Sequence, residues 1–398
     1  MKNVLIILFV LVFFLISFLI IGNKQENRNK NENNDLKIEK KGVFLSYIEL
    51  NKYIKNKSEE DSKNNIIKIL DNLKENGFNM LLVHVRPFSD AIYKSSIFAI
   101  SDTVKNKENN PSYDILEFII SESYNRNIKV HAWINPYRIS SNENIESLDL
   151  NHISRKYIEN GCAKVVEGKG LFYNPACSEV NDLIIDGIKE ILNNYKVDGI
   201  HFDDYFYPSD EIDLDLYKKY IDNGGNLSLA DYRYKNILTL IKDVYWNIKS
   251  IDKNVQFGIS PEGNIDNDYN KHYLDIKEIL SNDGYVDYIM PQIYFGFENS
   301  SKPFIKTLKE WDSLIKNKKI NLMPALAFYK SGSYDKYAKD GAYEWINNSD
   351  IISRQILESR NSSNYGGFSL FRYDYLFSED KFNDNSKEEF NNLIKIIK

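Results

Sequence analysis

Eight short apolar runs recur along the chain and constrain its fold more than any other feature. They span residues 43–47, 80–85, 129–133, 199–202, 255–259, 286–293, 322–328 and 366–371. Between them lie longer stretches with apolar residues at i, i+3 and i+4 spacing, such as 180–195 and 232–249, which is the period of an amphipathic helix. Alternating strand and helix units predict a parallel sheet. Eight of them predict an α/β fold of the (β/α)8 TIM barrel type, with its active site at the carboxyl ends of the strands.

The loops at those strand ends differ greatly in length. The longest, 138–179 and 205–230, follow the third and fourth predicted strands, and we expect them to form the walls of a substrate cleft. Residues 387–398 predict a closing amphipathic helix. A doubly wound sheet is the alternative topology, but no glycine-rich phosphate loop follows the first strand, which argues against its nucleotide-binding versions.

The N-terminus predicts attachment to a membrane. Residues 4–21 are apolar except for Ser17, a run just long enough to cross a bilayer. Lys2 precedes the run, and neither an A-x-A cleavage site nor a cysteine follows it closely. We therefore interpret residues 1–22 as an uncleaved anchor that holds an extracellular catalytic domain at the cell membrane; a cleaved secretion signal is the alternative. Residues 23–41 are polar and predict a disordered tether, which leaves 42–398 as the folded domain.

Charge and cysteine content limit the possible partners. The net charge is −6 and no long basic run occurs, so nucleic acid is not an expected partner. Cys162 and Cys177 lack metal-site spacing. We interpret them as two separate thiols, with a disulfide between them as the alternative.

The fourth predicted strand carries the richest polar motif, Asp198-Gly-Ile-His-Phe-Asp-Asp-Tyr-Phe-Tyr-Pro208. Because side chains alternate along a strand, His201 and Asp203 should point into the barrel near its mouth, and Asp204 should lie at the exit. Two adjacent acids there are costly unless they ionise separately, pair with cations or take part in chemistry. The competing interpretation is that one of them caps a helix or forms a salt bridge.

Other polar side chains share this position at a strand end, where we predict that they bind substrate. They are His84, Arg86, Asp90, His131, Trp133, Asn135, Arg138, His201, Tyr205, Gln292, Tyr294 and Arg372.

The ring of side chains fits two chemistries. Hydrolysis of a glycosidic bond needs two carboxyls and no cofactor; Asp203 and Asp204 could supply them, with Glu262, Asp90 or Glu49 as partners. The catalytic candidates are therefore Asp203, Asp204 and Glu262.

The alternative is metal-assisted hydrolysis, with His84, His131, His201 and Asp203 as ligands. However, no strand carries His-x-His and no helix carries His-Glu-x-x-His. A serine nucleophile is disfavoured because the chain has no Gly-x-Ser-x-Gly elbow.

Several motifs together resemble the bacterial "glycosyl hydrolase-like 10" family. They span residues 42–50, 84–95, 131–138, 198–208, 257–261 and 287–294, and the resemblance extends from residue 42 to about residue 374. It implies an exported TIM-barrel glycoside hydrolase with a polysaccharide substrate; some members are thought to cut peptidoglycan glycan strands, notably strands stripped of their peptides. By position, it implies Asp203 and Asp204 as the catalytic carboxylates. A catalytically inactive barrel that binds wall glycan is the non-enzymatic alternative.

Overall fold

A curled parallel sheet of nine strands runs through the part of the chain that the computed structural model describes, residues 38–105 and 111–398. In chain order the strands of the described residues are β1 (Lys40–Leu45), β2 (Met80–Arg86), β3 (Asp90–Ala91), β4 (Ala99–Ile100), β5 (Lys129–Ile134), β6 (Arg138–Ser140), β7 (Ala163–Val166), β8 (Gly170–Tyr173), β9 (Gly199–Phe202), β10 (Gln256–Ile259), β11 (Tyr288–Ile289), β12 (Asn321–Leu322), β13 (Ala325–Leu326) and β14 (Gly367–Leu370). The main sheet has the order β12-β11-β10-β9-β5-β2-β1-β14-β13. The predicted α/β class with a parallel sheet is confirmed.

The two ends of this sheet meet in one short segment. β12 and β13 are consecutive in the chain, separated by Met323 and Pro324. Met323 donates its N–H to the carbonyl of Ile289 (2.9 Å) on one side, and Pro324 accepts from the N–H of Ser369 (3.0 Å) on the other. Pro324 has no N–H to add to the ladder, which explains why the segment is divided into two strands.

Helices cover the outer face of the sheet. Those of the described residues are α1 (Tyr47–Tyr53), α2 (Glu59–Glu75), α3 (Ile115–Tyr124), α4 (Ser154–Glu159), α5 (Ser178–Asn194), α6 (Leu214–Asp222), α7 (Leu229–Ile251), α8 (Ile265–Asn270), α9 (Ile276–Ser281), α10 (Phe304–Leu314), α11 (Glu344–Asn347), α12 (Ile351–Ser359), α13 (Tyr373–Phe377) and α14 (Asp384–Ile397). Helix α5 shows the pattern: Ile184, Ile188 and Ile191 are fully buried and recur at the spacing of one helix face. The predicted closing helix is α14.

Three predicted strands were too long at their carboxyl ends. Tyr47 begins α1, because the side chain of Ser46 accepts the N–H of Ile48 and the Glu49 carboxylate accepts the Ser46 N–H (3.0 Å), which caps the helix. The sixth strand is reduced to β11 because Pro291 interrupts its donors. Phe328 lies in a 3-10 turn, Phe328–Lys330.

The first long insertion folds into a small antiparallel sheet of the order β6-β8-β7. Pairing of Ala163 with Tyr173 brings the two ends of the β7–β8 hairpin together. Cys162 and Cys177 flank that hairpin and form a disulfide, with their Cα atoms 5.7 Å apart. The interpretation as separate thiols was therefore wrong.

The predicted N-terminal segments fall mainly outside the described residues. This applies to the anchor, residues 1–22, and to residues 23–37 of the tether. The last two tether residues, Lys40 and Lys41, instead pair with Gly367 and Phe368 in the sheet. Within residues 38–105 and 111–398, no helix has the length and apolar character that a membrane span requires.

Candidate active site

A cleft of about 320 Å³ opens at the carboxyl ends of β5, β9 and β10. It is lined by Arg138, Lys169, Phe172, Asp204, Tyr205, Tyr207, Pro208, Glu262 and His272. An outer groove of about 940 Å³ shares five of these residues: Lys169, Tyr207, Pro208, Glu262 and His272. Both long insertions contribute side chains, so the prediction that they form the walls of a cleft is confirmed.

Asp203 lies beneath this cleft, where β9 ends. Its side chain is 3% exposed. One carboxyl oxygen accepts the indole N–H of Trp133 (2.9 Å) and the other accepts the backbone N–H of Tyr205 (3.4 Å). Burial and the neighbouring Asp204 raise the pKa of Asp203 to about 8, against the lowering effect of Trp133, Tyr205 and Arg138. The buried carboxyl therefore carries a proton at neutral pH.

Asp204 borders the cleft directly. Burial raises the pKa of its carboxyl too, although a hydrogen bond from the Gln292 amide and the charge of His272 act in the opposite direction. Gln292 also donates to the carbonyl of Ser260 (3.0 Å), which fixes the amide in place. Because the charge of Asp204 raises the pKa of Asp203, the two carboxyls form an acid pair that loses its protons in linked steps.

Glu262 faces the same cleft from the end of β10, and its protonation state differs from that of Asp203. It accepts hydrogen bonds from Asn267 Nδ2 (2.7 Å) and His272 Nε2 (3.0 Å). The His272 hydrogen bond is the main cause of a lowered pKa for Glu262, so this carboxylate is ionised. Behind it, the fully buried Asp268 accepts the backbone N–H of Glu262 (3.0 Å).

Trp133 and His84 form a stacked pair near the carboxyl ends of β5 and β2. Their rings lie 3.7 Å apart at 7°, and Tyr47 contacts His84 edge-on at 5.8 Å. Neither ring nitrogen of His84 has a hydrogen-bond partner among the described residues. Burial holds the pKa of His84 well below its usual range, so a neutral imidazole stacks against the indole that donates to Asp203. Trp133 is thus primarily a donor to the acid pair.

His131 and His201 lie deeper than predicted, and both form a hydrogen bond with the same tyrosine hydroxyl. Both Nδ1 atoms are 2.9 Å from the hydroxyl of Tyr288. A hydroxyl carries one hydrogen, so at least one imidazole must donate to it. The two histidines are 2% and 0% exposed, and burial lowers the pKa of both. Their predicted contact with substrate at the mouth was wrong.

Two glycines make room for this network. A Cβ atom on Gly199 would lie 2.4 Å from His131 Nδ1, and one on Gly258 would lie 2.1 Å from the Tyr288 ring. The glycine in the strand-four motif therefore serves interior packing.

Arg86 is the clearest correction among the predicted substrate-binding residues. The register of β2 against β5 shifts between His84, which pairs with Trp133, and Arg86, which pairs with Ile134. Such an irregularity breaks the two-residue alternation, so Arg86 leaves the face of His84. It donates to the carbonyl of Asn135 (3.4 Å) and lies over the Phe98 ring (4.7 Å).

Two other candidates lie away from the cleft or hydrogen-bond the backbone. Asp90 borders a separate cavity with Phe88 and His152, and burial raises its pKa to about 6. The Asn135 side chain accepts the backbone N–H of Arg138 (3.0 Å), which shapes the turn after β5.

Glu49 and Arg372 form a buried ion pair between the segments that follow the neighbouring strands β1 and β14. The pair neutralises both groups, so neither the predicted carboxyl partner nor the predicted substrate-binding cation is free to act on a substrate.

Of the remaining predicted residues, the structure brings Arg138 and Tyr205 to the cleft wall. Tyr294 packs between the Tyr329 and Phe371 rings, each 5.9 Å away. Burial raises its pKa, with smaller contributions from Tyr329 and Asp204. The sequence reasoning missed Lys169, Tyr207 and His272. These lie in loops without periodicity, and His272 gave a weak signal as one of five histidines.

A metal centre built from the strand-end histidines does not match the geometry. In the described ranges, the one group of His, Cys, Asp and Glu ligand atoms within 4.8 Å of one another is Cys162, Cys177 and Glu179, and those cysteines form the disulfide. His131 and His201 converge on a tyrosine hydroxyl.

Comparison with known sequences points to one family. A family model described as "Glycosyl hydrolase-like 10" matches residues 39–343. The chain is 34% identical over 338 residues to the glycosyl hydrolase DigH of Escherichia coli (strain K12), covering 78% of this chain and 75% of that protein. It is 32% identical over 298 residues to the glycosyl hydrolase YngK of Bacillus subtilis (strain 168), covering 69% of this chain and 57% of that protein.

Solved structures with low sequence identity share the fold. The PgaB (BpsB) glycoside hydrolase domain from Bordetella bronchiseptica aligns with a TM-score of 0.55 at 11% identity, covering 90% of this chain and 98% of that chain. The catalytic domain of β-amylase from Paenibacillus polymyxa aligns with a TM-score of 0.54 at 11% identity, with the same coverage of 90% and 98%.

Proposed function

This chain belongs to the glycosyl hydrolase-like 10 family and is a glycoside hydrolase, and on that premise we propose that it cleaves glycan strands of the bacterial cell wall by carboxylate acid–base catalysis. The observation that carries the proposal is the acid pair of the buried Asp203 and the half-buried Asp204, which stores a proton and opens onto the cleft through Asp204. We further propose that the curled sheet is a (β/α)8 barrel. The strands β12 and β13, Asn321–Leu326, form one strand interrupted by Pro324, so that the nine strands of the main sheet become eight. The pair follows the fourth of these.

The general acid is the first role to fill. A glycosidic oxygen leaves only when a proton reaches it, and at neutral pH an ordinary aspartate has none to give. Burial holds the pKa of Asp203 at about 8 and raises that of Asp204. We assign proton delivery to Asp204, because it borders the cleft while Asp203 is covered. Asp203 exchanges the proton with it and is held in place by Trp133.

The second role needs an ionised carboxylate. Environments that push two carboxyl pKa values apart identify the acid and its counterpart. Glu262 borders the same cleft and its pKa is lowered by His272. We therefore assign Glu262 to stabilise the positive charge that develops on the sugar, either directly or through an activated water.

A polymer suits the shape of the site. The cleft continues into the outer groove, which is larger and lined by the β7–β8 hairpin and by the loop after β9. Such a groove can hold sugar units beyond the bond that breaks. Together with the resemblance of the chain to a family of which some members are thought to cut peptidoglycan, this supports peptide-free glycan strands as the substrate.

The chemistry is tested with two variants and two substrates. Asp204→Asn should lose about 10²- to 10⁴-fold in turnover on glycan strands, measured as new reducing ends. It should keep much of its activity on a 4-nitrophenyl glycoside of the same repeat, because that leaving group needs no proton. Glu262→Gln should lose activity on both substrates. Equal losses of Asp204→Asn on both substrates would remove Asp204 from the acid role.

The location of the enzyme is a separate proposal. We propose that the 4–21 apolar run holds the catalytic domain outside the cell, at the membrane. Fractionation of a Gram-positive host expressing the full chain should recover the protein with the membranes. Recovery in the medium without residues 4–21 would instead support a cleaved signal.

A further inference from the structure

Arg138 is a cation in the wall of the cleft. It begins β6, directly after the turn that Asn135 shapes. Its guanidinium carbon lies 4.9 Å from the centre of the Phe88 ring and 5.3 Å from that of Tyr205. Two aromatic faces thus fix the plane of the guanidinium, and its charge reaches Asp203, whose pKa it lowers.

This guanidinium has no counter-ion in the described part of the chain. Within it, no carboxylate oxygen lies within the 4.0 Å that defines an ion pair, and the buried Nε has no hydrogen-bond partner. Most other arginines pair with a carboxylate: Arg126, Arg155, Arg233, Arg354 and Arg372. Arg86, which lacks one too, is enclosed and donates to backbone carbonyls. Arg138 therefore has unused donors at a surface where substrate binds.

A planar guanidinium with free donors is suited to a planar anion. Arginine binds a carboxylate with two parallel hydrogen bonds, a geometry that a neutral hydroxyl cannot match. Lys169 adds a second positive charge in the same cleft, where its ammonium donates to the carbonyl of Pro208 (2.7 Å). The wall of the cleft that carries Arg138 thus offers an anionic sugar one specific contact and a second cation.

We infer that Arg138 binds a carboxylate carried by the sugar and thereby selects acidic glycans. The inference rests on the proposed function, and for a cell-wall strand the group is the lactyl carboxylate of muramic acid. That carboxylate is free in a strand stripped of peptides, whereas in intact peptidoglycan it is an amide. The arginine would then distinguish peptide-free strands from peptide-bearing ones by charge.

The test compares substrates that differ in this one group. Peptide-free glycan strands are used as prepared and after conversion of their carboxylates to methylamides with a carbodiimide. The wild type should cleave the free acid with a kcat/KM higher by roughly 10- to 100-fold, the range expected for one charged hydrogen-bond pair. Arg138→Gln should lose that preference, with kcat/KM falling on the free acid and nearly unchanged on the amide. Arg138→Lys should recover part of this preference for the free acid, because the positive charge remains but the two parallel hydrogen bonds of the guanidinium are lost.

The control is Arg354→Gln on helix α12. Arg354 also lies over an aromatic ring, that of Phe297 (4.3 Å), and pairs with a carboxylate away from the cleft. It should leave both rates within about twofold, consistent with a surface substitution.

Each outcome decides between explanations. Equal cleavage of acid and amide by the wild type overturns the inference, while the hydrolase proposal stands. A loss in Arg138→Gln of equal size on both substrates also overturns it, and shows that Arg138 acts on Asp203. Cleavage of hyaluronan, a uronic acid polymer, with the same Arg138 dependence, but not of wall strands, supports carboxylate recognition and refutes the cell-wall substrate. Cleavage of none of these glycans overturns both.

Discussion

Replacement of Asp203 by asparagine should stabilise the protein at alkaline pH while it removes activity. The folded protein holds the Asp203 proton up to a pKa of about 8, whereas an ordinary aspartate loses it near 3.8. Between these values the native state binds a proton that the unfolded chain does not. Stability therefore falls as pH rises through this window, and the penalty is complete above about pH 8.

The magnitude follows from the shift. The difference between about 8 and 3.8 is roughly four units, which corresponds to about 6 kcal/mol as an upper limit. Part of this free energy comes from repulsion between the charged forms of Asp203 and Asp204. In the variant Asp204 remains charged, but it no longer has a charged neighbour. Asparagine keeps an oxygen that can accept the Trp133 N–H. We therefore expect Asp203→Asn to gain about 2–5 kcal/mol in unfolding free energy at pH 9 and little near pH 4.

Urea unfolding at pH 4, 6 and 9 measures this difference, together with turnover on glycan strands. The matched control is Asp182→Asn, an exposed aspartate on α5, for which we expect no pH-dependent gain. A gain for Asp203→Asn that is equal at all three pH values would refute the raised pKa. Near-normal turnover of the folded variant would refute the catalytic role of Asp203.

Four further predictions address the surroundings of the site. Trp133→Phe removes an N–H that stabilises the charged form of Asp203, so the alkaline limb of the kcat/KM profile should move up by as much as about one pH unit; an unchanged limb would contradict this. Gly199→Ala places a Cβ 2.4 Å from His131 Nδ1 and should cost about 1–3 kcal/mol; a wild-type urea midpoint would disprove the packing argument. Reduction of the disulfide, which closes a loop of 15 residues, should cost about 3 kcal/mol, and no loss would show that the hairpin holds the loop alone. EDTA should leave turnover intact; loss on chelation with recovery in zinc would favour a metal hydrolase.

Much of the fold could be predicted because burial imposes a local period. Apolar runs and i, i+3, i+4 spacing located the strands of the main sheet and the helices α5 and α7, since a side chain's face depends on its neighbours two to four positions away. The same rule correctly turned Asp203 inward at the end of β9. Strand ends were wrongly predicted where a local interaction overrides this period. One example is the helix cap formed by Ser46, which ends β1 before Tyr47.

The sequence by itself therefore determined the alternation of strands and helices, the position of the acid pair after the fourth strand, and the family. Tertiary structure alone decided which polar residues are available. Glu49 and Arg372 are 323 positions apart yet neutralise each other, and Tyr288, 87 positions from His201, engages its imidazole. A shift in strand register turned Arg86 away. Whether a charge is paired or free depends on contacts between distant segments, and residue type and local spacing carry no information about those contacts.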